Sequence, residues 1–161
     1  PAVIYVLLGT THPNVLRHSG EEYRTFLILL VKDLQRENHV VFLFNHMYEQ
    51  HLFIYFNACD FYITLYMNEA QISSGTLSYA VGVGAAVLST PYWHAAELLA
   101  DGRGRLFNFF DSDELAKTLN ELLDNPEQIT EMKFKAAEYG KNITWPKTGE
   151  KYMALAVKIG K

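Results

Sequence analysis

The sequence predicts an α/β fold built on a parallel sheet with helices on both faces. Three observations carry that prediction. Short apolar, β-rich runs alternate with helical segments along the whole chain. The first run, Ala2–Leu8 (AVIYVLL), is continuously apolar, which predicts a strand buried on both faces, as parallel strands are. The chain has 161 residues, 49% apolar and 20% charged, enough for one domain with its own core, taken here as residues 1–161.

Gly9–Pro13 ends the first strand. In residues 21–36, Tyr23, Phe26, Leu27, Leu30, Val31 and Leu34 recur at helical spacing. Val40–Phe44 reads as a second strand and Glu49–Asn57 as a short helix. Phe61–Tyr66 (FYITLY) is the third strand, and Ser73–Val83 a helix opened by small and hydroxyl residues. Ala86–Ser89 is the fourth strand, stopped by Pro91. His94–Ala100 is helical, with Gly102 and Gly104 as its exit turn. Arg105–Phe109 is the fifth strand. Asp111 with Glu114 forms a capping box for a helix over 112–124. Pro126 opens a helix to Tyr139, and a last helix covers about 148–158.

Composition removes several function classes. A formal charge of −4 argues against a general nucleic-acid binder. A single cysteine, Cys59, excludes an internal disulfide framework and a multi-cysteine zinc site; it lies just before a strand and reads as a buried, inert thiol. The opening seven apolar residues are too few to span a bilayer and lack the flanks of a signal peptide. Pro1 in place of an initiator Met leads us to expect a piece of a longer chain, with the cytoplasm as default location. Asn142-Ile143-Thr144 matches a glycosylation sequon by chance.

Charge is unevenly spread. No Lys or Arg stands between Arg36 and Arg103, so a phosphate bound there by this chain must rely on backbone N–H groups, hydroxyls and a helix dipole. Residues 132–161 carry seven Lys against Glu138 and Glu150. That excess suits a solvated helical face, or contact with an anionic surface or a partner domain.

In open parallel sheets, ligands bind at the carboxyl ends of strands. Three loops qualify: 9–19, 67–74 and 90–93. The second carries the most chemistry. Glu69 can accept hydrogen bonds from sugar-like hydroxyls, and Ser73, Ser74, Gly75 and Thr76 open a helix whose first amides lack internal partners and attract anions. The same residues also suit an ordinary helix cap and a solvated loop acid. His12, after the first strand, and His94, after Pro91-Tyr92-Trp93, are further ligand candidates; His12 equally suits a turn before proline. Phe56, Phe61, Tyr62 and Tyr66 read as core, whereas Phe107, Phe109 and Phe110 point to an exposed apolar edge and to a dimer or swapped assembly.

The run NACDFYITLYMNEAQISSGTLSYAVGVGAAVLSTPYW (57–93) resembles the donor-binding C-terminal domain of GT-B retaining glycosyltransferases, family 4 (group 1). AELLADGRGRLF (96–107), DSDELAKTLNELLDNPEQ (111–128) and the segment Gly140–Pro146 extend the likeness in the same order. The resemblance implies a Rossmann-like half of a GT-B fold lacking its first strands, and sugar transfer from a nucleotide-sugar donor with retention. It implies Glu69 as the acid on the donor sugar, and Ser73–Thr76 as the segment approaching sugar and diphosphate. It implies no metal and no cofactor, and an acceptor-binding N-terminal domain outside this chain. Leu77 stands where that family has a second Glu, Ala85 where a cation is common, and the paired Arg and Lys that neutralise the diphosphate fall upstream of Pro1. The isolated chain is therefore expected to transfer little sugar. The alternative is a non-catalytic α/β module that binds a nucleotide or a partner.

Overall fold

A computed structural model describes residues 3–160. The chain divides into two compact units, residues 1–51 and 52–161.

The first unit holds strand β1 (Tyr5–Leu8), helix α1 (Pro13–Ser19), helix α2 (Glu22–Asp33) and strand β2 (Val40–Leu43). β1 and β2 pair in parallel, Tyr5 opposite Val40 and Leu8 opposite Leu43. The expected start of the strand at Ala2 falls outside the described residues. Within them, β1 is not buried on both faces: Tyr5 and Val6 are exposed, and Leu7 and Leu8 only half-buried. A two-stranded sheet has too little neighbouring surface to enclose a strand. α1 replaces part of the loop that the sequence predicts over 9–19. Pro13 starts it because its missing N–H costs nothing at the first helical position. His12 is its cap, with Nδ1 accepting the Asn14 N–H at 3.2 Å.

Helix α3 (Glu49–Ala58) leads into the second unit. There follow β3 (Tyr62–Thr64), α4 (Gly75–Gly82), β4 (Val87–Ser89), α5 (Trp93–Leu98), a 3-10 turn (Ala100–Gly102), β5 (Gly104–Leu106), α6 (Ser112–Leu123), α7 (Pro126–Gly140) and α8 (Trp145–Ile159). The strands form a parallel sheet in the order β3-β4-β5. The central strand β4 is fully buried, and its residues alternate between two cores. Val87 joins Leu77, Ala80, Val81, Ala95, Leu98 and Ala136 on one face. Ala86 and Leu88 join Phe107, Leu122 and Met132 on the other. Helices thus cover both faces, the α/β architecture the sequence predicts.

The element boundaries differ in instructive ways. β5 stops at Leu106, and the exposed aromatic edge does not form as expected: Phe107 is buried, Phe109 packs on the first core, and only Phe110 stays out, at φ 61°. Gly104 belongs to β5, where a Cβ would lie 2.9 Å from the Val87 carbonyl oxygen. α8 begins at Trp145, capped by the Thr144 hydroxyl, and buries none of its residues. No described helix is long and apolar enough to cross a membrane.

Candidate functional site

β3 and β4 end side by side, Thr64 opposite Ser89. The loop leaving β3 is tied to the segment leaving β4 at once. The buried Thr90 hydroxyl donates to the Tyr66 carbonyl at 2.6 Å, and the Thr90 N–H reaches the Thr64 carbonyl at 3.3 Å. The Tyr66 ring meets the edge of Tyr92 at 5.0 Å between centroids.

Further along, α5 holds the loop by its own first turn. A helix start leaves its leading amides unpaired. Here the Trp93 N–H donates to the Glu69 carbonyl at 2.9 Å, and the His94 N–H to the Gln71 carbonyl at 3.3 Å. The Ser74 N–H returns the contact, donating to His94 Nδ1 at 2.9 Å. Gln71 Nε2 closes the loop on the Ser73 carbonyl at 2.6 Å. The first two amides of α5 are therefore spent on protein.

The start of α4 is different. Ser74 is the cap, with its hydroxyl accepting the Leu77 N–H at 3.3 Å and its carbonyl accepting the Ser78 N–H at 3.1 Å. Gly75 and Thr76 occupy the first two helical positions, and among the described residues their N–H groups have no partner. The Thr76 hydroxyl accepts from Tyr62 at 2.9 Å, and burial pushes the Tyr62 phenol above its usual range. A cavity of about 270 Å³ lies here, lined by Tyr62, Ile63, Thr64, Leu65, Tyr66 and Thr76. The Glu69 side chain is exposed, and among the described residues it makes no hydrogen bond. Among the described residues the buried Tyr92 hydroxyl has no hydrogen-bond partner.

Glu69, Ser73 and Ser74 thus lie in the loop between β3 and α4, Gly75 and Thr76 open α4, and His94 in α5 is tied to that loop through Ser74 and Gln71. His12 belongs to the first unit, as the cap of α1. Ser74, read as a ligand donor, is buried and engaged as cap. Thr90, Gln71 and Tyr92 carry no local sequence signal that marks them as part of the site. The Pro91 signal marked the end of β4, but nothing local reveals that Thr90 grips a carbonyl 24 residues earlier.

A larger groove, about 680 Å³, runs between β5 and α7. Its charged groups are already partnered, Lys135 with Glu131 at 2.7 Å and Arg105 with Gln128 at 2.8 Å. The smaller cavity is the better candidate, because Thr76, whose amide has no partner among the described residues, lines it. Among the described residues no three His, Cys, Asp or Glu side chains gather as a metal site.

Solved structures share this fold. HepE from Anabaena, determined in complex with UDP-glucose, matches with a TM-score of 0.81 and 20% identity over 98% of this chain and 41% of its own. The C-terminal domain of the group 1 glycosyl transferase LpcC from Francisella tularensis matches at 0.72 and 16% identity, over 87% of this chain and 69% of its own. Sucrose-phosphate synthase from Thermosynechococcus elongatus matches at 0.76 and 17% identity, over 95% of this chain and 38% of its own. The chain therefore spans about two fifths of the length of HepE. No curated protein matches it. The family profile described as "Glycosyl transferases group 1" matches residues 1–142, most of the chain, and the protein belongs to that family as a GT-B-type glycosyltransferase domain.

Proposed function

We propose that residues 1–161 form one nucleotide-sugar-binding domain, the C-terminal donor half of a glycosyltransferase that works with retention. The observation that most supports this reading is that, among the described residues, two amides at the start of α4 have no partner, while the loop feeding that helix carries an exposed carboxylate, Glu69, that makes no hydrogen bond. A helix start with open amides favours a diphosphate. A carboxylate accepts hydrogen bonds from sugar hydroxyls. A nucleotide-sugar carries both groups on one molecule.

In this reading Gly75 and Thr76 meet the diphosphate, helped by the Ser73 hydroxyl, and Ser74 keeps the helix start in shape. Glu69 holds the donor sugar at the reacting carbon. His94 serves this site through the Ser74 amide that it holds, and His12, in the first unit, is a separate substrate-binding candidate. The reading assigns no metal and no cofactor. Residues 37–102 contain no Lys or Arg, so cations for the leaving diphosphate come from elsewhere. The acceptor site belongs to an N-terminal domain outside these residues.

Calorimetric titration with UDP-glucose and GDP-mannose tests the reading. We expect saturable binding of at least one, with a Kd raised about tenfold or more in Glu69→Ala, the scale of a lost charged hydrogen bond. Absence of binding to both sugars would favour a vestigial or interaction module. In donor hydrolysis, equal rates for wild type and Glu69→Ala would remove Glu69 from catalysis.

A further inference from the structure

The ring of His94 is committed to the protein in a way that defines its chemistry. Its Nδ1 accepts the Ser74 N–H at 2.9 Å, so in the neutral ring the proton sits on Nε2. The residue is half-buried, and its backbone N–H is held by the Gln71 carbonyl at 3.3 Å. Ser74, in turn, is fixed at each polar group. Its N–H goes to His94, its hydroxyl takes Leu77 N–H, and its carbonyl takes the Ser78 N–H and the Ser78 hydroxyl, both at 3.1 Å. The residue that follows is Gly75, whose amide is open. That N–H lies in the peptide plane it shares with the Ser74 carbonyl, so its direction depends on how firmly Ser74 is held.

We propose that His94 is a positioning residue of the donor site. Through Nδ1 it holds the Ser74 amide and thereby orients the open Gly75 and Thr76 amides toward one anionic group. The meaning of this for binding rests on the donor reading above, but the contact itself is testable without a ligand. His94→Phe keeps a planar ring and removes the acceptor. His94→Asn places a carbonyl oxygen close to where Nδ1 stands and restores it.

Three readouts on the 161-residue chain decide the matter. Ring nitrogen NMR of wild type should show the Nε2-protonated tautomer. Hydrogen exchange of the Ser74 amide should quicken about tenfold in His94→Phe and return near wild type in His94→Asn. The UDP-glucose Kd should rise about three- to tenfold in His94→Phe and recover in His94→Asn. Unchanged Ser74 exchange in His94→Phe, or a proton on Nδ1, overturns the proposal. So does loss of UDP-glucose binding in His94→Asn with Ser74 still protected, which would make the ring a direct ligand contact. If His94→Phe fails to fold, the tautomer and the His94→Asn pair still decide. If wild type binds neither UDP-glucose nor GDP-mannose while Ser74 exchange follows the ring, the donor reading fails and the positioning contact stands.

Discussion

Leu77 shows how one side chain can be read two ways. The family pattern puts an acid at this position, where a ribose contact would be made. In the structure Leu77 is 0% exposed and lies in the core with Ala80 and Val87. Restoring the acid should therefore not restore a contact. Leu77→Glu is expected to lower unfolding stability by about 3 kcal/mol or more, because an unpaired carboxylate would be buried. Urea denaturation measures this, and a stable variant with tighter nucleotide binding would contradict it. Cys59 gives a second residue-scale prediction. It is half-buried, with its thiol toward the Phe56 carbonyl, and burial pushes its pKa up. A raised pKa means less thiolate at neutral pH, and the thiolate is the reacting form. Alkylation by iodoacetamide at pH 7 should run several-fold slower in the folded chain than in urea, and equal rates would refute it.

Elements meet where residues allow close approach. α4 and α7 cross at their carboxyl ends, where a Cβ on Gly140 would lie 2.7 Å from the Gly82 carbonyl oxygen. The reverse is not true, since a Cβ on Gly82 meets nothing within 4 Å. Gly140→Ala should cost about 1–3 kcal/mol by forcing the helices apart. Gly82→Ala should be neutral or slightly stabilising. Urea midpoints of the two variants check the asymmetry, and equal shifts would show that the crossing relaxes freely. Arg103 performs a comparable task with charge. It is almost fully buried, donates to the Leu98 carbonyl at 2.7 Å and the Glu97 carbonyl at 3.1 Å, and lies 4.2 Å over the Tyr139 ring. It thereby closes the end of α5 and ties it to α7. In the sequence it stood out only as the residue ending a long stretch without cations.

At the scale of the whole molecule, the sheet β3-β4-β5 and its two flanking cores carry the candidate site at the strand ends, but residues 37–102, which supply its loops and helix start, contain no Lys or Arg. Stabilisation of a leaving diphosphate is worth several kcal/mol of barrier. The 161-residue chain is therefore expected to bind donor yet transfer sugar at least about a hundredfold more slowly than an intact family enzyme. Product formation from UDP-glucose measures it, and a rate near that of an intact enzyme would refute it.

Much of this was legible in advance. The alternation of apolar runs with helical segments identified the α/β class, because strand and helix periods are local properties of the chain. The Ser-Ser-Gly-Thr run identified the start of α4 to within two residues, because helix caps depend on nearby side chains. Only tertiary structure decided which amides remain open. The first amides of α5 and α4 look alike in sequence, yet those of Trp93 and His94 are consumed by carbonyls some twenty residues earlier, while those of Gly75 and Thr76 are not. Hydrogen-bond partners so distant along the chain are chosen by the adjacency of β3 and β4, and no local pattern encodes that choice.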